Sequence, residues 1–241
     1  MISAEIFRKI MELKELLMDK RLLTCAELCV GDRLADIGTD HGYLPCYMVK
    51  KGLCKTALAC DVAVKPLESA KEHISQMGLE DSIEAVLSDG LDGIDGKGIT
   101  DISIAGMGGE LIADILSRAP WVKENRVNLI LQPMTKWDFL RGWLYRNDFE
   151  VKKELPCREG RFVYSVMQAV YTGKKPEYEC DLRYLYCGLV TADTPDGRAY
   201  LERQISRLEN AGRGMSGSAD KLELAKEMLA TAEKLSAELG K

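Results

Sequence analysis

From residue 31 onward the apolar positions of the chain fall into two alternating periods. Short runs rich in Leu, Ile, Val and Ala at 33–38, 56–61, 83–89, 101–106 and 128–133 read as strands, and helical spacing governs 43–51, 66–77, 109–119 and 136–147 between them. Strand and helix in strict alternation imply a parallel sheet covered on both faces. Two further strand patterns, 149–155 and 161–171, are joined only by Pro156-Cys157-Arg158-Glu159-Gly160. A link that short permits an antiparallel hairpin and forbids a crossover. The expected core is therefore an α/β sheet of five parallel strands closed by an antiparallel pair.

The flanks follow helical spacing. Ile6, Ile10, Leu13, Leu16 and Leu17, then Leu22, Leu23 and Leu28, predict two helices interrupted near Asp19-Lys20-Arg21. Beyond Gly173-Lys174-Lys175-Pro176 the composition shifts, and helical patterning resumes from about Asp181. Residues 198–211 align Leu201, Ile205 and Leu208, and residues 220–239 align Leu222, Ala225, Leu229, Ala232 and Leu239. Gly212, Gly214, Ser216, Gly217 and Ser218 read as a flexible turn between them, so an antiparallel, coiled-coil-like hairpin is expected. This divides the chain into domains 1–175 and 176–241.

Composition supports that picture: 241 residues, 46% of them hydrophobic, suffice for one sizeable core and an appendage. The eight cysteines contain no C-x-x-C pair and only two histidines could supplement them, so they read as buried free thiols rather than a metal site. The first twenty residues lack the uncharged core of a signal peptide, and no run approaches the roughly 18 apolar residues of a membrane span, which predicts a cytoplasmic protein. The net charge of −5 conceals an asymmetry: residues 23–135 carry −7, whereas residues 136–175 carry +4. Lys136, Arg141, Arg146, Lys152, Lys153, Arg158 and Arg161 make that second segment a candidate phosphate-contacting surface, or a solvated face.

The candidate chemistry lies at the strand ends, where open α/β sheets bind ligands. Asp36-Ile37-Gly38-Thr39-Asp40-His41-Gly42 ends the first strand and turns into a helix. It is not the G-x-G-x-x-G loop, whose second glycine lets backbone approach a pyrophosphate. A carboxylate at Asp40, between Gly38 and Gly42, would repel phosphate and suits a cofactor that lacks phosphate and carries positive charge. S-adenosyl-L-methionine, with its sulfonium and ammonium groups, fits. Asp61 closes the second strand, to accept from ribose hydroxyls or to cap the next helix. Asp89-Gly90 follows the third, to bind the adenine amine or to form a turn. Gly106-Met107-Gly108-Gly109 ends the fourth and leaves room for a flat ring. Gln132 ends the fifth and either presents its amide to a base edge or satisfies buried backbone. His41 donates to substrate or caps a helix, His73 reads as a helix-surface residue and Cys46 as core. The strand count and these acids match the class I S-adenosylmethionine-dependent methyltransferase (Rossmann-like) pattern better than a dehydrogenase sheet.

Residues 36–45 (D-I-G-T-D-H-G-Y-L-P), 104–109 (I-A-G-M-G-G) and 129–133 (L-I-L-Q-P) together resemble the bacterial TrmK family, tRNA adenine-N1 methyltransferases acting at adenine 22. The likeness extends to Lys20-Arg21-Leu22, to Trp143-Leu144-Tyr145 and to the C-terminal hairpin, and so covers nearly the whole chain. It implies a Rossmann-like methyltransferase domain followed by a helical domain, both helping to hold tRNA. Asp36, Gly38, Thr39, Asp40, His41, Gly42, Asp61, Val62, Asp89, Gly90, Gly106 and Gly108 would surround the cofactor. Asp40, Gly106, Met107 and Gln132 would stand at the methyl-transfer centre, and Arg21, Lys136, Arg141, Arg146 and Arg161 would meet the RNA. Met134 and Gly42 depart from the residues of some relatives. Two other functions stay open on sequence: a small-molecule methyltransferase, suited to the acidic balance, and a non-catalytic S-adenosylmethionine-binding module whose hairpin recruits a protein.

Overall fold

The computed structural model describes residues 18–217 and 221–240. The helix expected upstream of Asp19 lies outside them. Helix α1 (Lys20–Leu28) begins where the Asp19 side chain accepts from the Leu22 amide at 2.8 Å, a side-chain cap that satisfies an otherwise orphaned donor. Then follow β1 (Arg33–Ile37), α2 (Tyr43–Lys50), β2 (Thr56–Asp61), α3 (Val64–Met77), β3 (Ile83–Leu87), β4 (Asp101–Gly108), α4 (Gly109–Arg118), α5 (Trp121–Glu124), β5 (Asn128–Thr135) and α6 (Trp137–Arg146). The chain continues through β6 (Phe149–Glu159), β7 (Phe162–Tyr171), α7 (Leu182–Cys187), α8 (Pro195–Met215) and α9 (Leu222–Glu238). The strands form one seven-stranded sheet in the order β3-β2-β1-β4-β5-β7-β6. β1 pairs in parallel with both β2 and β4, β2 with β3, and β6 runs antiparallel to β7.

By compactness the described chain divides into two units, one running to Ala105 and including Ile115–Ile130, the other comprising Gly106–Asp114 and everything from Leu131. The division differs from the 175/176 boundary suggested by composition, because the helices after residue 180 share buried partners with β6 and β7. In the first unit β1 is buried on both faces: Leu34, Ala35 and Ile37 pair with Ala57, Leu58 and Cys60, all sequestered from water. Helix α3 buries Leu67, Ala70 and Ile74, the 3–4 spacing of one apolar stripe, and ends at Gly78 in the left-handed conformation that stops helices.

In the second unit the hairpin is longer than its sequence suggests. Pro156 and Cys157 pair with Ser165 and Tyr164, and only Gly160 and Arg161 form the turn. Gly160 takes φ +55°, as a two-residue hairpin turn requires at its first position. Proline punctuates most strands, but β6 is the sheet's edge, where proline is tolerated. Helices α8 and α9 pack around Leu201, Leu208, Met228, Ala232 and Leu235. The buried stripe of α9 is therefore Ala225, Met228, Ala232, Leu235 and Leu239; Leu222 faces water and Leu229 is only half-buried. Gly212 and Gly214, expected in the turn, are inside α8. A Cβ at Gly212 would lie 2.8 Å from Leu229 Cγ, so the glycine sets how closely these two helices approach.

Candidate functional site

The loop after β1 is built from three left-handed residues, Gly38 (φ 72°), Asp40 (φ 54°) and Gly42 (φ 68°). Asp is among the few side chains that tolerate this region. The amides of Gly38 and Thr39 both donate to the Cys60 carbonyl at 2.9 Å, that of Asp40 to Asp61 Oδ2 at 3.4 Å, and that of Gly42 to the Thr39 carbonyl at 3.0 Å. Loops that cradle phosphate keep such amides free. Here protein oxygens already take them, so the geometry rejects a pyrophosphate and leaves a carboxylate-rich loop. Asp36 is buried at the end of β1, where the Thr39 hydroxyl donates to its Oδ2 at 2.7 Å. Burial pushes its carboxyl from 3.8 up to about 6, against the hydrogen bonds of Thr39 and Ser103.

Asp61 serves as a backbone anchor on one side: its Oδ1 accepts from the Ala63 amide at 2.9 Å, beside the Asp40 contact. Val62 and the side chains of Asp40 and His41 are exposed, with His41 Nε2 3.7 Å from Asp40 Oδ1. His73 is more than a surface residue. Its Nδ1 donates to the His41 carbonyl at 2.9 Å and its ring meets Tyr43 edge-on, so α3 holds this loop from outside. Asp89 is exposed and bonds Arg118, which also pairs with Asp92. Gly90 has φ +60°, and a Cβ there would come within 2.8 Å of Ile115.

In the second unit β4 and β5 each run two residues past their expected ends. The Gly106 amide, at φ 81°, donates to Gln132 Oε1 at 3.0 Å; Gln132 Nε2 donates to the Pro133 carbonyl at 3.2 Å and faces Met134 Sδ at 3.6 Å. Gln132 is fully buried with both ends of its amide engaged. It does not present a free amide to a base edge; it fixes the backbone of Gly106. Met107 and Gly108 are half-buried at the same strand end. A Cβ on Gly109 would sit 2.1 Å from the Lys136 carbonyl oxygen, so only glycine allows these two strand-to-helix junctions to meet. Beyond them opens a cleft of about 740 Å³ lined by Pro133, Trp137, Phe162, Tyr186, Arg203 and Arg207 among others.

A methyltransferase domain family model matches residues 18–167. The tRNA (adenine(22)-N(1))-methyltransferase of Bacillus subtilis is 38% identical over 169 residues, covering 69% of this chain and 71% of that protein. The chain belongs to the TrmK family. The crystal structure of the B. subtilis m1A22 tRNA methyltransferase TrmK superposes with a TM-score of 0.75 at 29% identity, covering 90% of this chain and 98% of that one. M. capricolum TrmK, solved in complex with the cofactor product S-adenosyl-homocysteine, gives 0.76 at 25% identity over 92% and 98% of the two chains.

Against that TrmK frame the residues expected to meet RNA separate. Arg146 and Arg161 are exposed, and Lys136, left-handed at φ 56°, extends its ammonium to 3.9 Å from Glu110. Arg21 is partly buried and pairs with Asp19 at 3.0 Å. Arg141 is a correction. It is fully buried and its guanidinium donates to Glu154 at 2.5 Å, Tyr200 at 2.7 Å and the Leu185 carbonyl at 2.6 Å. A guanidinium sealed in that network reaches no phosphate; it ties α6, β6, α7 and α8 together. Cys46 is core, its thiol pushed up to about 12 by burial, which removes it as a nucleophile. Sequence reasoning missed Phe162, Arg203 and Arg207. The last two sit one helical turn apart on α8, a spacing visible in the sequence, but the segment 196–241 has no net charge to draw attention to them.

Proposed function

We infer that this chain is an S-adenosylmethionine-dependent enzyme that methylates N1 of adenine 22 in tRNA, in the cytoplasm. The observation that carries the reading is the occupied amide set of the β1 loop beside buried Asp36 and Asp61, which suits a cationic cofactor without phosphate. S-adenosylmethionine supplies an electrophilic methyl group when bound. Asp36, Gly38, Thr39, Asp40, His41, Gly42, Asp61, Val62, Asp89 and Gly90 would hold it. Asp89 would exchange its Arg118 partner for the adenine amine.

Adenine N1 is unprotonated near neutral pH and carries its own lone pair, so the chain need not remove a proton from the attacking atom. Its task is placement and exclusion of water, effects that account for about 7–11 kcal/mol in well-oriented systems. Gln132 is a positioning residue that sets the Gly106 backbone. Met107 covers the same strand end, and exposed Asp40 holds the exocyclic amine of the target base. The basic residues Arg21, Lys136, Arg146 and Arg161 contact tRNA phosphates, and the helical pair α8/α9 extends that surface.

Methyl transfer from labelled S-adenosylmethionine to unmodified tRNA transcripts tests the reading. The expected product is 1-methyladenosine, lost when adenine 22 is replaced. Label in no tRNA despite cofactor binding would refute it. Asp40→Asn should cut turnover at saturating tRNA; full turnover would remove Asp40 from the site.

A further inference from the structure

The cleft at the end of β5 holds chemistry that methyl transfer does not use. Five aromatic residues line it, Trp137, Phe162, Tyr164, Tyr186 and Tyr200, together with Arg203 and Arg207 from α8. The Arg207 guanidinium lies over the Trp137 ring, 3.9 Å from its centroid, and donates to Gln204 Oε1 at 3.1 Å. Stacked and tethered in this way, it is held in one orientation with further N–H groups to spare. The guanidinium carbons of Arg203 and Arg161 lie 5.7 and 5.0 Å from the Phe162 ring centroid. Among the described residues neither Arg203 nor Arg207 has a carboxylate partner, and the cleft contains one acid, Asp138. Phe162 nevertheless remains 40% exposed, an apolar ring left in water beside guanidinium groups.

A flat, open ring beside unpaired arginines matches one chemistry closely, an unpaired nucleotide of RNA, whose base stacks and whose phosphate accepts from guanidinium. A volume of about 740 Å³ suits a ligand of that size. The cleft includes none of the residues assigned to the methyl donor.

We propose that this cleft is an RNA subsite that stacks one unpaired base of the substrate, other than the target adenine, on Phe162 while Arg203 and Arg207 hold its phosphate. The proposal rests on the reading of the chain as a tRNA methyltransferase. Its use is physical: turning a target base out of its stack costs free energy, and a neighbouring nucleotide captured in the cleft offsets part of that cost.

Steady-state kinetics on full-length protein and a tRNA transcript test it. Phe162→Ala should raise KM for tRNA about ten-fold with little change in kcat or in S-adenosylmethionine affinity, and Phe162→Trp should restore it. Arg203→Gln, a partly exposed helix position that does not threaten folding, should lower the salt slope of tRNA binding by about one. Unchanged KM in Phe162→Ala and an unchanged slope in Arg203→Gln, alongside an active parent enzyme, would overturn the subsite and leave the methyltransferase reading intact. A parent protein that methylates no tRNA would overturn both.

Discussion

Asp36→Asn should stabilise the free protein and weaken its hold on S-adenosylmethionine, and both effects should depend on pH. The carboxyl is buried at the end of β1 and displaced from 3.8 to about 6. At about 1.4 kcal/mol per unit, ionising Asp36 costs about 3 kcal/mol more in the folded chain than in the unfolded one. The folded state thus binds this proton more tightly than the unfolded state. Stability from the group is complete below about pH 4, falls as pH rises through about 6, and stays low above. Asparagine cannot ionise, yet it keeps an oxygen to accept from the Thr39 hydroxyl. The variant's advantage in urea unfolding should therefore grow by about 3 kcal/mol between pH 4 and 7 and then level off. Cofactor affinity of the parent protein should rise with pH through about 6, as the carboxylate forms to face a cation, while that of the variant stays flat. A stability difference independent of pH would refute the burial argument, and unchanged affinity would remove Asp36 from the cofactor site.

Arg141→Met alone should cost about 3–5 kcal/mol of stability in denaturant titration, because Glu154 is left buried and charged, and the paired change with Glu154→Leu should recover most of it. Gln132→Ala frees the Gly106 amide and should lower kcat on the order of a hundred-fold, measured by single turnover; a change confined to KM for tRNA would contradict a positioning role. Gly212→Leu drives a side chain into Leu229 and should lower the melting temperature through about 1–3 kcal/mol of overpacking, without altering cofactor binding.

What the chain discloses before folding is what local physics decides. The strand periods, the acids at the ends of β1 and β2, and the glycines at 38, 42 and 90 that take the left-handed backbone of their turns are written in short windows. The strands that outran their expected ends failed for a local reason as well: Pro156 and Gly106 are punctuation in most contexts, and only the edge position of β6 and the Gln132 bond to Gly106 license continuation. The hidden part is carried by contacts between residues far apart in sequence. Arg141 meets Tyr200 59 residues away, and nothing near Arg141 distinguishes an interior guanidinium from a surface one. Its counter-charge Glu154 lies in the same segment, so burying both leaves the +4 of residues 136–175 unchanged. The basic character that suggested RNA is therefore real surface charge even though one of its named members is not. Arg203 and Arg207 show the converse. Their segment sums to zero, yet α8 turns both toward Phe162 and Trp137, where no acid among the described residues forms an ion pair with them. Charge that recognises a polyanion is set by which groups remain unpaired after folding, and net charge along the chain records that only where partners are neighbours in sequence.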